Sequence, residues 1–415
     1  MTKRNKLDTF IGIIHHTDPV MSKDSICPRR KTQARSHVKF NVKSIEDGSL
    51  YATLIKNSGL RLFVKPIEWT SLHLTLLDME FHNLPPITQP VPTVGSSKAT
   101  IDLSASAQAL LGALNNLLET KSTECRTRSI PTVISMLYPQ HISFLEISEL
   151  HQYFGGRAYC VDCPVQAAWD VTPARSSYTT ANGSMSMRAE ECVEGPIMDS
   201  IDGRNVRTQP ILVYVDLKTI TVTRRARYKP PRNNPPVRRL RKLLYRKATP
   251  PNMVEDPFLA AVILALAQRP FYRAAPPSAD KPLMSSPESS SLGEPIFQDT
   301  TVCILAVNDK EPSAPCFILY RGKVRKELLQ KVHNPTKNYR VKEEEALVGT
   351  LKGSTNTQIE YTEVQIWPIL GLKERLSKAL GKEVAGPFDE NNIEMWEQDL
   401  KTKTQTQSRR SETGR

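Results

Sequence analysis

Apolar positions in the second half of the chain switch between strand and helix periods. Runs at 300–307, 315–322 and 359–367 are rich in β-branched and other apolar residues, as in buried strands. Segments 324–332 and 370–380 repeat their apolar residues every three to four positions, as amphipathic helices do. The order strand, strand, helix, strand, helix predicts a mixed α/β layer whose first two strands pair.

One predicted helix is apolar on nearly every side. Asp256 is suited to cap it, Pro257 suits its first position, and Pro270 ends it after the segment 257–268. A helix without a polar face is buried on several sides. We therefore expect this helix inside the core.

The remaining segments complete a predicted α+β fold with a mixed α/β core and β-hairpins. Residues 36–82 hold β-leaning runs and predict a small β-rich module, and 83–130 predict a linker with an amphipathic helix at 105–119. Residues 131–382 form the predicted core. Within it we expect a short helix at 145–154 and a hairpin turn at DLKT, 216–219.

Proline and serine mark the segments predicted to be disordered. The chain has 31 prolines in 415 residues, above the usual share of about 5%. Polar and Pro/Ser-rich composition predicts disorder at 1–35, in an insertion near 270–296, and in the tail at 383–415.

The net charge of +13 is concentrated in one stretch. Residues 224–247, here called the basic band, hold eleven Lys or Arg and no acidic residue, so all other residues sum to +2. Its prolines predict an extended spacer between two basic clusters. The residues assigned to nuclear localisation or anion binding are Arg224, Arg225, Arg227, Lys229, Arg238, Arg239, Arg241 and Lys242.

Such a band has three interpretations. Two exposed basic clusters on one segment meet the requirement of a nuclear-import signal, which binds an import receptor. The same residues can neutralise phosphates of a nucleic acid. The third interpretation is a solvated charged loop.

The cysteines indicate a reducing compartment, because their number, seven, is odd and their spacing irregular. Cys160 and Cys163 have the spacing of half a zinc site, and Cys192 and His151 are the further candidate ligands. A structural or incidental role explains this pair as well.

A metal-dependent nuclease of the PD-(D/E)xK type is the enzymatic alternative. Its chemistry needs two carboxylates that hold Mg²⁺ and a lysine near the attacking water, and the candidates are Asp202, Asp216 and Lys218. The sequence has no motif for a P-loop, a dinucleotide site, a zinc protease or a serine hydrolase, and no cofactor is expected. The longest apolar run, ten residues, is half a membrane span, and no membrane partner or secretion is expected.

The segment around VEDPFLAAVILALAQ, 254–268, resembles a family of uncharacterised proteins from filamentous fungi. The resemblance extends over about 205–382, including ILVYVDLKT, CFILYRG and IEYTEVQIWPI. This chain departs from the pattern by its basic and Ser/Pro segments. The resemblance implies no activity and no catalytic residue, but it does imply a link to fungal secondary metabolism. We therefore expect a non-catalytic accessory or interaction protein, nuclear or nucleo-cytoplasmic, with an unidentified protein partner.

Overall fold

The computed structural model describes most of the chain between residues 45 and 388. The described ranges are 45–90, 104–120, 122–139, 142–145, 147, 149–161, 165–171, 211–230, 234–272, 295–308, 314–339 and 357–388. Of the segments predicted to be disordered, residues 1–35, most of the 270–296 insertion, and residues 389–415 of the tail predicted at 383–415 lie outside them. The prediction is wrong at 383–385, because these residues belong to a short helix, Lys382–Ala385, in which Val384 and Ala385 are buried.

A seven-stranded mixed sheet organises the molecule. Its strand order is β1-β9-β8-β7-β6-β5-β2, with β1/β9 and β6/β7 parallel and the other pairs antiparallel. Strands β3 and β4 form a separate hairpin. The strands are β1 Met79–Asn83, β2 Ile142–Leu145, β3 His151–Phe154, β4 Arg157–Cys160, β5 Ala167–Val171, β6 Ile211–Tyr214, β7 Thr300–Asn308, β8 Cys316–Val324 and β9 Thr357–Gln365.

Helices cover both faces of the sheet, and two apolar clusters fill the space between the layers. The helices are α1 Leu50–Lys56, α2 Ser71–Leu76, α3 Ala105–Glu119, α4 Thr123–Leu137, α5 Leu217–Arg227, α6 Pro235–Ala248, α7 Pro257–Gln268, α8 Lys326–His333, α9 Leu372–Leu380 and α10 Lys382–Ala385. In this described part of the chain, none is long and apolar enough to cross a membrane.

Helix α7 confirms the predicted buried helix. Asp256 accepts a hydrogen bond from the Phe258 backbone N–H, and all 12 residues of the helix are buried. At Gly322 of β8 a Cβ atom would lie 2.7 Å from Cγ2 of Ile263, closer than real Cβ contacts allow. Glycine at this position therefore lets α7 pack directly against the sheet.

A buried arginine lies in helix α9, on the face of the sheet opposite to α7. Arg375 of α9 is fully buried, and its guanidinium donates to five backbone carbonyls, so it joins the helix to the chain that surrounds it. The acceptors are the carbonyl oxygens of Pro90, Gln365, Ile366, Pro368 and Leu370. Burial lowers the pKa of Arg375.

The prediction of a β-rich module at 36–82 is wrong for the described residues 45–82. They form α1, α2 and two 3₁₀ turns, and their one strand, β1, joins the main sheet beside β9. Local capping decides against strands: the Ser49 side chain accepts from the Ala52 N–H, and Thr70 and His73 form a capping box.

Two local predictions in the core are also wrong. The helix expected at 145–154 is instead the end of β2 and strand β3, and Gly155 and Gly156, both with positive φ, turn β3 into β4. The turn expected at DLKT is the start of α5. The paired strands β7 and β8, and helices α3, α8 and α9, are confirmed, as is the mixed α/β core.

Candidate interaction surface

The basic band begins on helix α5, and the carboxylate of Asp216 caps the start of that helix. Asp216 accepts hydrogen bonds from the Lys218 backbone N–H at 3.0 Å and from the Thr219 hydroxyl at 3.3 Å. Its side chain is buried, and its own N–H donates to Gln166 Oε1. Asp216 is therefore an N-cap that holds α5 at the end of β6.

Arg224 is the buried member of the band. Its Nη1 and Nη2 donate to the two carboxylate oxygens of Asp256 at 2.7 and 2.6 Å, and its Nε donates to the Ile67 carbonyl. The side chains of Arg224 and Asp256 are 1% and 0% exposed. Since Asp256 also caps α7, this bidentate pair fixes α5 to the start of the central helix.

Arg227 is also engaged by the body of the protein. Its Nε lies 2.6 Å from Oε1 of Glu68, whose side chain is almost fully buried. The neighbouring Tyr228 ring packs edge-on against Tyr245 of α6, with ring centroids 6.2 Å apart. Burial, and then the negative charge of Glu68, raise the pKa of Tyr228 to about 12.

Helix α6 carries the second basic cluster, and most of its residues are exposed. The Asn234 side chain accepts a hydrogen bond from the Val237 N–H. Pro235 and Pro236 occupy the first turn, where the backbone N–H that proline lacks would have no partner within the helix. Ala248 is the one buried residue of its 14. Arg241 Nη1 donates to the Lys229 carbonyl at 2.6 Å and joins α6 to the end of α5.

The outer side of α6 presents a basic face. Arg238, Lys242 and Arg246 recur every four residues, Arg239 lies beside them, and all four are exposed. We call these four residues the basic face. They span about 12 Å along the helix. In the described part of the chain, no carboxylate forms an ion pair with Arg239, Lys242 or Arg246.

Two leucines form an apolar strip next to this face. The exposed fractions of Leu240 and Leu243 are 55% and 60%, and Val222 of α5 is 66% exposed. Side chains of this size usually bury their surface, and each buried leucine contributes about 1.5–3 kcal/mol. The exposed surfaces of α5 and α6 thus combine positive charge with uncovered apolar groups.

The structure separates the predicted band residues into two groups. Arg224 and Arg227 contact the body, and Arg241 contacts α5, whereas Arg225, Lys229, Arg238, Arg239 and Lys242 have exposed side chains. The predicted extended spacer is wrong from residue 235 onward, because both prolines start α6. Arg246 was missed, although its spacing from Lys242 follows the helical repeat.

The candidate metal ligands are only partly described. His151 and Cys160 are cross-strand partners in the β3–β4 hairpin, and His151 Nε2 lies 3.4 Å from Glu149 Oε2. Cys163 and Cys192 lie outside the described residues. Within the described ranges no group of three or more His, Cys, Asp or Glu side chains could hold a metal ion.

The nuclease candidates do not meet in the described structure. Asp216 faces the backbone of α5, Lys218 is exposed on the first turn of that helix, and Asp202 lies outside the described residues. The proposed chemistry required Asp216 on a strand beside a second carboxylate. A helix cap uses both oxygens of Asp216 for a structural purpose.

Comparisons of this chain with protein-family models, with curated proteins and with solved structures give no match.

Proposed function

We propose that this protein is a non-catalytic interaction protein that works in the nucleus or between nucleus and cytoplasm, and that helix α6 is its contact with an anionic partner. The observation that carries the proposal is the exposure of the four cations of the basic face on a helix that buries one residue. Such a helix contributes little to the core, so core packing does not explain its basic face.

Charge and apolar surface together favour an acidic protein as the partner. Four cations on one side attract carboxylates or phosphates equally well. Leu240 and Leu243, beside the basic face, add contacts that a protein groove uses and a phosphate backbone does not. A nuclear-import receptor is such an acidic partner, and it is the first candidate.

Nucleic acid is the second candidate, because helix α6 contains no acidic residue to repel phosphates. The two candidates differ in salt dependence. Four phosphate contacts give a slope of roughly −3.6 in a plot of log affinity against log salt concentration. A protein partner that also buries the leucines has a shallower slope.

The experiment uses the purified full-length chain with two probes, a nuclear-import receptor and a 20-base-pair DNA duplex. The variant replaces Arg238, Arg239, Lys242 and Arg246 with alanine. The control removes the same charge from exposed residues elsewhere, Lys56, Arg157, Lys378 and Lys382.

We expect the receptor to bind the wild type and the control, and to bind the α6 variant at least tenfold more weakly. Steep salt dependence with DNA and no receptor binding would favour the nucleic-acid candidate. Equal binding by both variants would contradict any role of the basic face.

A link to fungal secondary metabolism remains part of the proposal. Its support is the resemblance of the segment 254–268, which forms the buried helix α7 and not the interaction surface.

A further inference from the structure

Strand β1 lies at one edge of the seven-stranded sheet and has β9 as its neighbour. Thr357 N–H donates to the Asp78 carbonyl, and Leu84 N–H donates to the Tyr361 carbonyl. Because backbone groups along a strand alternate in direction, Glu80 and His82 also bond toward β9. The N–H and C=O groups of Met79, Phe81 and Asn83 therefore point away from the sheet.

This outward edge is open in the described structure. Among the described residues, none donates to or accepts from the outward backbone groups, and the side chains of Glu80, His82 and Asn83 are exposed. A cleft of about 580 Å³ lies beside the first part of β1, between residues 78–81 and the segment 247–252. Within the described ranges, the outward backbone groups of β1 therefore have no strand beside them.

The charged side chains of β1 favour one register for pairing with β1 of a second copy. A two-fold antiparallel pairing that matches outward backbone groups can be centred on Glu80, Phe81 or His82. The first places Glu80 opposite Glu80, and the third places His82 opposite His82. The pairing centred on Phe81 places Glu80 opposite His82 twice, at the non-hydrogen-bonded sites where side chains are closest.

We propose that β1 pairs antiparallel with β1 of a second copy of this chain, centred on Phe81, and joins the two sheets across a two-fold axis. The Glu80–His82 contacts set the register, and the groups of Met79, Phe81 and Asn83 supply the hydrogen bonds. A five-residue contact is small, so the dimer is weak and forms as concentration rises. The proposal is independent of the role of α6.

Sedimentation velocity of the full-length protein over a concentration series tests the pairing. Glu80→Lys places lysine opposite histidine, and His82→Glu places glutamate opposite glutamate, so each weakens the dimer about tenfold. The double variant Glu80→Lys/His82→Glu places opposite charges together again and restores it. Glu119→Lys, at an exposed site on α3, makes the same charge change as Glu80→Lys without effect on the dimer.

Asn83→Pro gives an independent check, because the Asn83 N–H points outward and takes no part in the β1–β9 ladder. It should reduce dimerisation while circular dichroism stays unchanged. A protein that remains monomeric at every concentration would overturn the proposal. So would a dimer that the single charge variants leave unchanged, or that the double variant does not restore.

Discussion

Replacing Arg224 with methionine separates its structural role from a role in partner binding. The change keeps much of the side-chain volume and removes the three hydrogen bonds that the guanidinium makes to Asp256 and to the Ile67 carbonyl. Asp256 would keep its bond to the Phe258 N–H but would stay buried without its cation.

The expected loss of stability follows from the burial of Arg224 and Asp256. Both side chains are at most 1% exposed, so water cannot replace the lost guanidinium without opening the start of α7. Removing one partner of a buried pair costs about 3–5 kcal/mol. The neighbouring Arg225 is exposed, and its replacement by methionine changes stability by less than about 0.5 kcal/mol.

Urea denaturation followed by circular dichroism measures both variants. We expect a clear fall in the unfolding midpoint for Arg224→Met and none for Arg225→Met. The double variant Arg224→Met/Asp256→Asn should recover part of the loss, because it removes the buried unpaired charge. Equal midpoints for the two single variants would refute the structural assignment of Arg224.

Three further predictions concern other parts of the fold. Asp216→Ala removes the cap of α5 and should lower the free energy of unfolding by about 1 kcal/mol; a loss of Mg²⁺-dependent DNA cleavage by this variant would instead support the nuclease hypothesis. Gly322→Ala forces a methyl group against Ile263 and should lower the free energy of unfolding by about 1–3 kcal/mol in thermal or urea unfolding; an unchanged free energy would contradict the tight packing of α7 on β8. Burial raises the pKa of the Cys303 thiol to about 12, so at pH 8 mass spectrometry should find the exposed Cys160 alkylated and Cys303 unmodified until urea unfolds the protein; early modification of Cys303 would contradict its burial.

The elements of the core were predictable from the sequence where one pattern of apolar residues ran through a long segment. Helix α7 has apolar residues on all sides and both end signals, and β7 and β8 are nine-residue apolar strands, so local pattern and burial agree. Their prediction needed no knowledge of distant residues.

Short segments were predicted less well because local propensity and capping disagree. The α5 segment is rich in β-branched residues, which favour a strand, but Asp216 caps it and Ile220 and Arg224 place their buried side chains one helical turn apart. The segment 50–56 follows the same pattern, with the Ser49 cap deciding for α1. In both cases a capping side chain at the start of the helix outweighs a weak strand preference.

The location of the candidate interaction surface was predictable from composition, but its shape was not. The density of Lys and Arg identified the band. It could not show that Arg224 lies inside the protein, because its partner Asp256 is 32 residues away. The helical repeat of Arg238, Lys242 and Arg246 was readable in the sequence, but the adjacent prolines suggested an extended chain.

Localisation of a fluorescent fusion tests the central claim most directly. Three proteins are compared in living cells. They are the wild type, the variant with alanine at Arg238, Arg239, Lys242 and Arg246, and the charge-matched control with alanine at Lys56, Arg157, Lys378 and Lys382. The account predicts nuclear fluorescence for the wild type and the control, and cytoplasmic fluorescence for the α6 variant. The same distribution for all three proteins would contradict it.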